Sequence, residues 1–136
     1  MHKIILASNS KVRKKILDEN GIECKVFPPN VDEELAKESL MKENASPELI
    51  SKNLAELKAN KISLKFNNEI VLGADSVIDI NRELVSKPKN REEALKILKK
   101  LNGKTHHLIS SICISKNGSM IWNYTDKAAL TMKNMT

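Results

Sequence analysis

The stretch Glu69-Ile70-Val71-Leu72-Gly73-Ala74-Asp75-Ser76-Val77-Ile78-Asp79-Ile80 is an apolar run broken by one small polar segment, and that break constrains the chain more than any other feature. A run so rich in Val, Ile and Leu predicts a strand buried in an α/β sheet. Asp75 then sits where a carboxylate is costly to bury unless a metal, a base or several donors meet it. Two readings stay open: an acid with a chemical task, or a strand-end acid capping a turn before a hairpin.

The flanking sequence supplies the rest of such a sheet. An apolar run at 3–7 predicts a strand, and Ser8-Asn9-Ser10 caps a helix over 11–19, with Ile16 and Leu17 on one face, that Gly21 stops. A strand at 23–27 ends at Pro28-Pro29-Asn30, followed by helical patterns at 33–43 and 47–64. In the longer helix Ser46 is the N-cap, Pro47 takes the first position, and Ile50, Leu54, Leu57, Lys58, Lys61 and Ile62 crowd one side. Beyond the central run come a hairpin arm at 83–85, a loop at 86–89, and a helix over 91–101 with Ala94, Leu95, Leu98 and Leu101 on one face, closed by Asn102-Gly103. The remainder predicts a hairpin, 105–115 and 119–132, joined by Asn117-Gly118. Alternating helices and strands over 136 residues, 40% of them hydrophobic, predict one α/β domain, 1–136, whose mixed sheet has parallel and antiparallel members and is flanked by helices.

A formal net charge of +6 favours anionic partners. The basic residues are interspersed with acids and aromatics make up only 3%, so the stacking platform of a single-strand binder is missing and a small anionic ligand is preferred to nucleic acid. Cys24 and Cys113 lie far apart in apolar runs, outside any CxxC spacing, and are expected to be buried thiols in a reduced compartment. The apolar run after Lys3 is too short for a signal peptide, and no stretch approaches the ~20 apolar residues of a membrane span. The expectation is a soluble, cytoplasmic protein.

Several groups could serve an anion or a metal. Val31-Asp32-Glu33-Glu34 places acids at a helix start, where the macrodipole favours them; with Asp75 they also offer the oxygen ligands that Mg²⁺ takes alongside substrate phosphates. Ser8-Asn9-Ser10, leaving a strand for a helix, presents N–H groups and hydroxyls to an anion, with Arg13 a turn later as a planar partner for phosphate. Ordinary capping with a solvated Arg13 explains the same residues, and neither GxxxxGK[ST] nor GxGxxG is present. Lys58 breaks an apolar helix face and Lys87 precedes Pro88; each alone is an ordinary lysine. His106 and His107 alternate at a strand start, so at most one can face a pocket.

Together these stretches resemble the Maf-like family, within the inosine-triphosphate-pyrophosphatase-like superfamily. The resemblance is carried by residues 4–10 with Arg13 and Leu17, Val31-Asp32-Glu33, Leu54-Ala55 with Lys58-Ala59, Leu72-Gly73-Ala74-Asp75-Ser76-Val77, Lys87-Pro88, and Glu92-Glu93-Ala94 through His106. It implies a two-lobed α/β fold with the nucleotide between lobes. It implies too a house-cleaning nucleoside triphosphate pyrophosphatase, which uses Mg²⁺ or Mn²⁺ to convert non-canonical or surplus triphosphates to monophosphate and pyrophosphate. By the resemblance Asp75 is catalytic, Glu33 and Asp75 hold the metal, and Ser8, Arg13, Lys58 and Lys87 hold the phosphates. A homodimer is implied as well.

Two departures stand out. Ser10-Lys11-Val12-Arg13 replaces the family's SxSPRR ending, in a neighbourhood that helps separate pyrimidine-preferring from methylated-guanine-preferring members, and Ser86 stands for a frequent glycine. Family members also continue past the position of Thr136 through a helix and a Tyr-Gln segment that closes the cleft. The domain is accordingly expected to be incomplete at its C-terminus, with apolar surface exposed on its final strands. A non-catalytic nucleotide-binding fragment is the alternative to an enzyme, and a basic nucleic-acid-binding module a third reading.

Overall fold

The computed structural model describes residues 4–80, 83–85, 90–101, 103 and 105–131. In chain order the elements are β1 (Ile4–Ala7), α1 (Lys11–Glu19), β2 (Cys24–Val26), α2 (Glu33–Lys42), α3 (Pro47–Ser63), β3 (Val71–Ile80), β4 (Glu83–Val85), α4 (Arg91–Leu101), β5 (Thr105–Lys116) and β6 (Ser119–Thr131). The sheet order is β2-β1-β3-β5-β6, with β4 also paired to β3. β1 runs parallel to β2 and β3, while β3–β4, β3–β5 and β5–β6 are antiparallel. The expected mixed sheet is thus realised, and β3 is its centre.

Local chemistry sets the boundaries. The Ser10 hydroxyl accepts from the Arg13 N–H at 3.2 Å and that of Ser46 from Leu49 N–H at 3.2 Å, each satisfying a donor that a helix start leaves without a partner. The hairpin turn uses Asn117 and Gly118 at φ 53° and 83°, the left-handed pair that matches the twist of the strands it joins. That turn is tied to the end of α3, since Gly118 N–H donates to Ser63 Oγ at 2.8 Å.

The core lies between α3 and the sheet. Ile5, Ala7, Val71 and Cys113 from the strands pack against Ala55, Ala59 and Ile62 of the helix. The buried side of α3 is Ile50, Ser51, Leu54, Ala55, Lys58, Ala59, Ile62 and Ser63. Leu57 and Lys61, placed on that side by the sequence pattern, are not buried; Leu57 is exposed. The helix instead turns its smallest residues inward because β3 approaches too closely for larger ones. A Cβ added at Gly73 would lie 2.4 Å from the Ala55 carbonyl oxygen and 2.8 Å from Ala59 N.

The outer helices differ. α1 and α2 bury none of their residues, and Ile16, expected with Leu17 on a packed face of α1, is exposed. On α4, Leu95 and Leu98 are exposed rather than covered. β6 carries exposed Ile121, Trp122, Tyr124 and Leu130, with the Trp122 and Tyr124 rings stacked 6.3 Å apart.

Gly73→Ala must move backbone rather than a flexible side chain, so urea unfolding should show a loss of about 1–3 kcal/mol, the scale of core overpacking.

Candidate active site

β1 ends at Ala7, opposite Gly73, and β4 rejoins β3 only at Ile78. The edge of β3 between them is left without a strand partner, and a cleft of about 870 Å³ opens there. One side is formed by the β1–α1 turn, the Pro29–Asn30 turn, α2 and α3; the other by Ala94, Ile97 and Leu98 of α4 with Ile78 and Leu108 of the sheet. Crevices beyond the carboxyl end of a parallel strand are the usual ligand sites of α/β sheets.

Asp75 lies at the middle of β3, paired with Ser111, and not at a strand end. The turn-capping reading therefore fails, because the strand continues to Ile80 and no turn follows for Asp75 to cap. The residue is buried at 8% exposure, Oδ2 has no hydrogen-bond partner among the described residues, and the Ser51 hydroxyl donates to its backbone carbonyl at 3.1 Å. Lys58 reaches it from α3: Nζ donates to Asp75 Oδ1 at 3.1 Å and to the Ala74 carbonyl at 3.2 Å, and also pairs with the Glu33 carboxylate. Burial raises the Asp75 pKa above its ordinary value; Lys58 opposes that shift by charge and hydrogen bond, Glu33 adds to it, and Arg13 opposes it weakly.

Glu33 opens α2 after the cap residue Asp32, whose side chain accepts from Leu35 N–H at 3.0 Å. The preceding turn is held from α3, where Lys61 donates to the carbonyl of Asn30, a residue at φ 47°. Ser8 is 2% exposed, and its hydroxyl accepts from Ser10 N–H at 3.0 Å and from Arg13 Nη1 at 3.3 Å. The β1–α1 turn thus presents Asn9, Ser10 and Arg13 to the cleft.

Of the residues singled out from sequence, Ser8, Arg13, Glu33, Lys58 and Asp75 line this one cleft. Lys87 lies outside the described residues. His106 and His107 are not among the residues lining the cleft, although His106 is buried. Lys37 lines the cleft and was not anticipated; it follows Glu33 by one helical turn, a spacing that could have revealed it. Ser51 was also missed, since a buried serine in a helix carries no signal in a lone sequence.

No group of three or more His, Cys, Asp or Glu side chains is placed to hold a metal ion among the described residues. Two carboxylates nevertheless converge on one cation, the Lys58 ammonium, and a buried carboxylate oxygen is left without a partner. Mg²⁺ bound through one or two carboxylates plus substrate phosphates needs no more from the protein than this.

The family model described as Maf-like protein matches residues 3–136. The chain belongs to the Maf-like family. It is similar to a nucleoside triphosphate pyrophosphatase of Pelagibacter ubique, 72% identical over 98% of this chain and 68% of that protein. A 7-methyl-GTP pyrophosphatase of Rhizobium etli is 32% identical over 98% of this chain and 67% of its own length. This Maf-like chain therefore spans about two thirds of the curated relatives it matches. Among solved structures, a HAM1 protein from Coxiella burnetii shares the fold at TM-score 0.57 and 16% identity, covering 95% of this chain and 71% of that one. No described helix is long and apolar enough to cross a membrane.

Because burial raises the Asp75 pKa in the folded state above 3.8, protonated Asp75 favours folding. That contribution is complete below 3.8 and is lost as pH rises through the elevated folded value. Urea unfolding across this range should show the wild type losing stability relative to Asp75→Asn as pH increases.

Proposed function

We propose that this Maf-like chain is a house-cleaning nucleoside triphosphate pyrophosphatase, one domain over 1–136, that hydrolyses the bond between α- and β-phosphates. The observation that carries this reading is the convergence of Asp75, Glu33, Lys58, Ser8 and Arg13 on one cleft at the exposed edge of β3. The names of the Pelagibacter and Rhizobium relatives support the same chemistry.

The α1 N-terminus, with Ser8 and Arg13, binds phosphate oxygens, since the helix dipole, the hydroxyls and the guanidinium all favour an anion. Lys58 neutralises the polyphosphate, assisted by Lys87. Asp75 and Glu33 would hold Mg²⁺ or Mn²⁺, which supplies electrostatic stabilisation to oxygens gaining charge. Asp75 orients the attacking water and takes its proton, a task suited to a carboxylate whose pKa burial has raised. Water oxygen bonds to the α-phosphorus, the bond from that phosphorus to the bridging oxygen breaks, and pyrophosphate leaves with the electron pair. The aliphatic wall of Ile78, Leu98 and Leu108 gives the base an apolar surface. Cys24 and Cys113, buried and not in a disulfide, support a reducing cytoplasmic setting, and a homodimer is part of the proposal.

A panel of common and modified nucleoside triphosphates with Mg²⁺ or Mn²⁺ should give monophosphate and pyrophosphate in equal amounts. Asp75→Asn should lower kcat about a hundredfold or more, the scale of losing a group that acts on developing charge. Arg13→Ala should act mainly on KM. Folded protein that releases no pyrophosphate from any triphosphate would refute the assignment.

A further inference from the structure

In this fold Lys58 is engaged on three sides. Nζ donates to the Ala74 carbonyl and to Asp75 Oδ1 and is ion-paired with the Glu33 carboxylate. The group assigned to the triphosphate is thus already held by partners of the chain's own. It also lies between the two carboxylates assigned to a divalent ion, against one oxygen of each, while Asp75 Oδ2 is left without a hydrogen-bond partner among the described residues. The cleft already contains a cation, and that cation is part of the chain.

We infer that Lys58 is a resident counter-ion that reserves the Glu33–Asp75 pair and releases it only when metal and polyphosphate arrive together, an inference that rests on the pyrophosphatase reading. A divalent ion entering alone meets the ammonium beside the same two carboxylates, and repulsion between two cations is stronger in a partly dry site than in water. Expelling the ammonium with no new acceptor leaves a buried charge uncompensated. A triphosphate supplies the acceptor. Lys58 turns from the carboxylates to phosphate oxygens, and the carboxylates turn to the ion that the same phosphates carry. The Ala74 carbonyl involves neither carboxylate, so its bond can persist and act as the pivot.

Burial orders the exchange. The Glu33 side chain is 49% exposed and that of Asp75 only 11%, so the Glu33 pair yields first to an arriving anion. Glu33 sits on α2, which buries none of its residues and can adjust without opening a core. Binding should therefore favour the metal–nucleotide complex over the free ion.

Mn²⁺ uptake without nucleotide, followed by electron paramagnetic resonance of the free ion, tests this in wild type, Lys58→Met and the Lys58→Met/Asp75→Asn double variant. Lys58→Met should bind Mn²⁺ about tenfold or more tightly than wild type, because the competing cation is gone, and the double variant should lose that gain. An unchanged or weaker affinity in Lys58→Met, or a gain that survives in the double variant, overturns the counter-ion role. Wild type given a non-hydrolysable triphosphate analogue should take up Mn²⁺ tightly, beyond what the analogue alone removes from solution; failure there overturns the pyrophosphatase reading instead. Should Lys58→Met not fold, NMR of the unaltered protein decides. The Lys58 side-chain ε resonance should hold its position on Mg²⁺ alone and shift on Mg²⁺ with the analogue, and a shift with Mg²⁺ alone overturns the inference.

Discussion

The Lys58 ammonium, held between the buried Asp75 carboxylate and Glu33, is the contact on which the cleft depends. A carboxylate in the middle of a central strand is tolerable only with a partner close by, and the pair survives burial because the ammonium also finds a backbone carbonyl. The same lysine joins three elements, α2, α3 and β3. The turn that leads into α2 is tied to α3 as well, by Lys61 donating to the Asn30 carbonyl, while α2 itself has no fully buried residue.

That contact is set by a steric one. Lys58 can reach over the strand because α3 lies almost against it, with Ala55 and Ala59 facing Gly73. Larger residues at any of the three positions would push the helix outward and lengthen the reach to Asp75. The small residues of the Gly73-Ala74 segment, which interrupt the apolar run in the sequence, are thus the packing condition for the charged centre beside them. Structure and chemistry share one stretch of chain.

Most of the fold was legible before any coordinates. Helix starts followed from Ser10 and Ser46, the hairpin turn from Asn117-Gly118, and the helix over 91–101 from its apolar spacing, because each is decided by residues near in sequence. The failures have a common cause. Leu57, Ile16, Leu95 and Leu98 fit an apolar face by type and spacing, yet packing depends on what a neighbouring element offers, and among the described residues none covers them. The sequence leaves Asp75 open between an acid with a task and a strand-end turn cap; the pairing with β5, which carries the strand past it to Ile80, removes the second.

The sequence by itself determined the order of elements, the mixed α/β class and the acidic, basic and hydroxyl groups available for a polyphosphate. These follow from periodicity, capping and side-chain chemistry, which are local. Only the tertiary structure decided that β1 pairs with the first residues of β3 and leaves the middle of that edge open, and that Lys58 occupies the place between two acids. Those facts arise from contacts between residues far apart in the chain, whose distances no local pattern encodes.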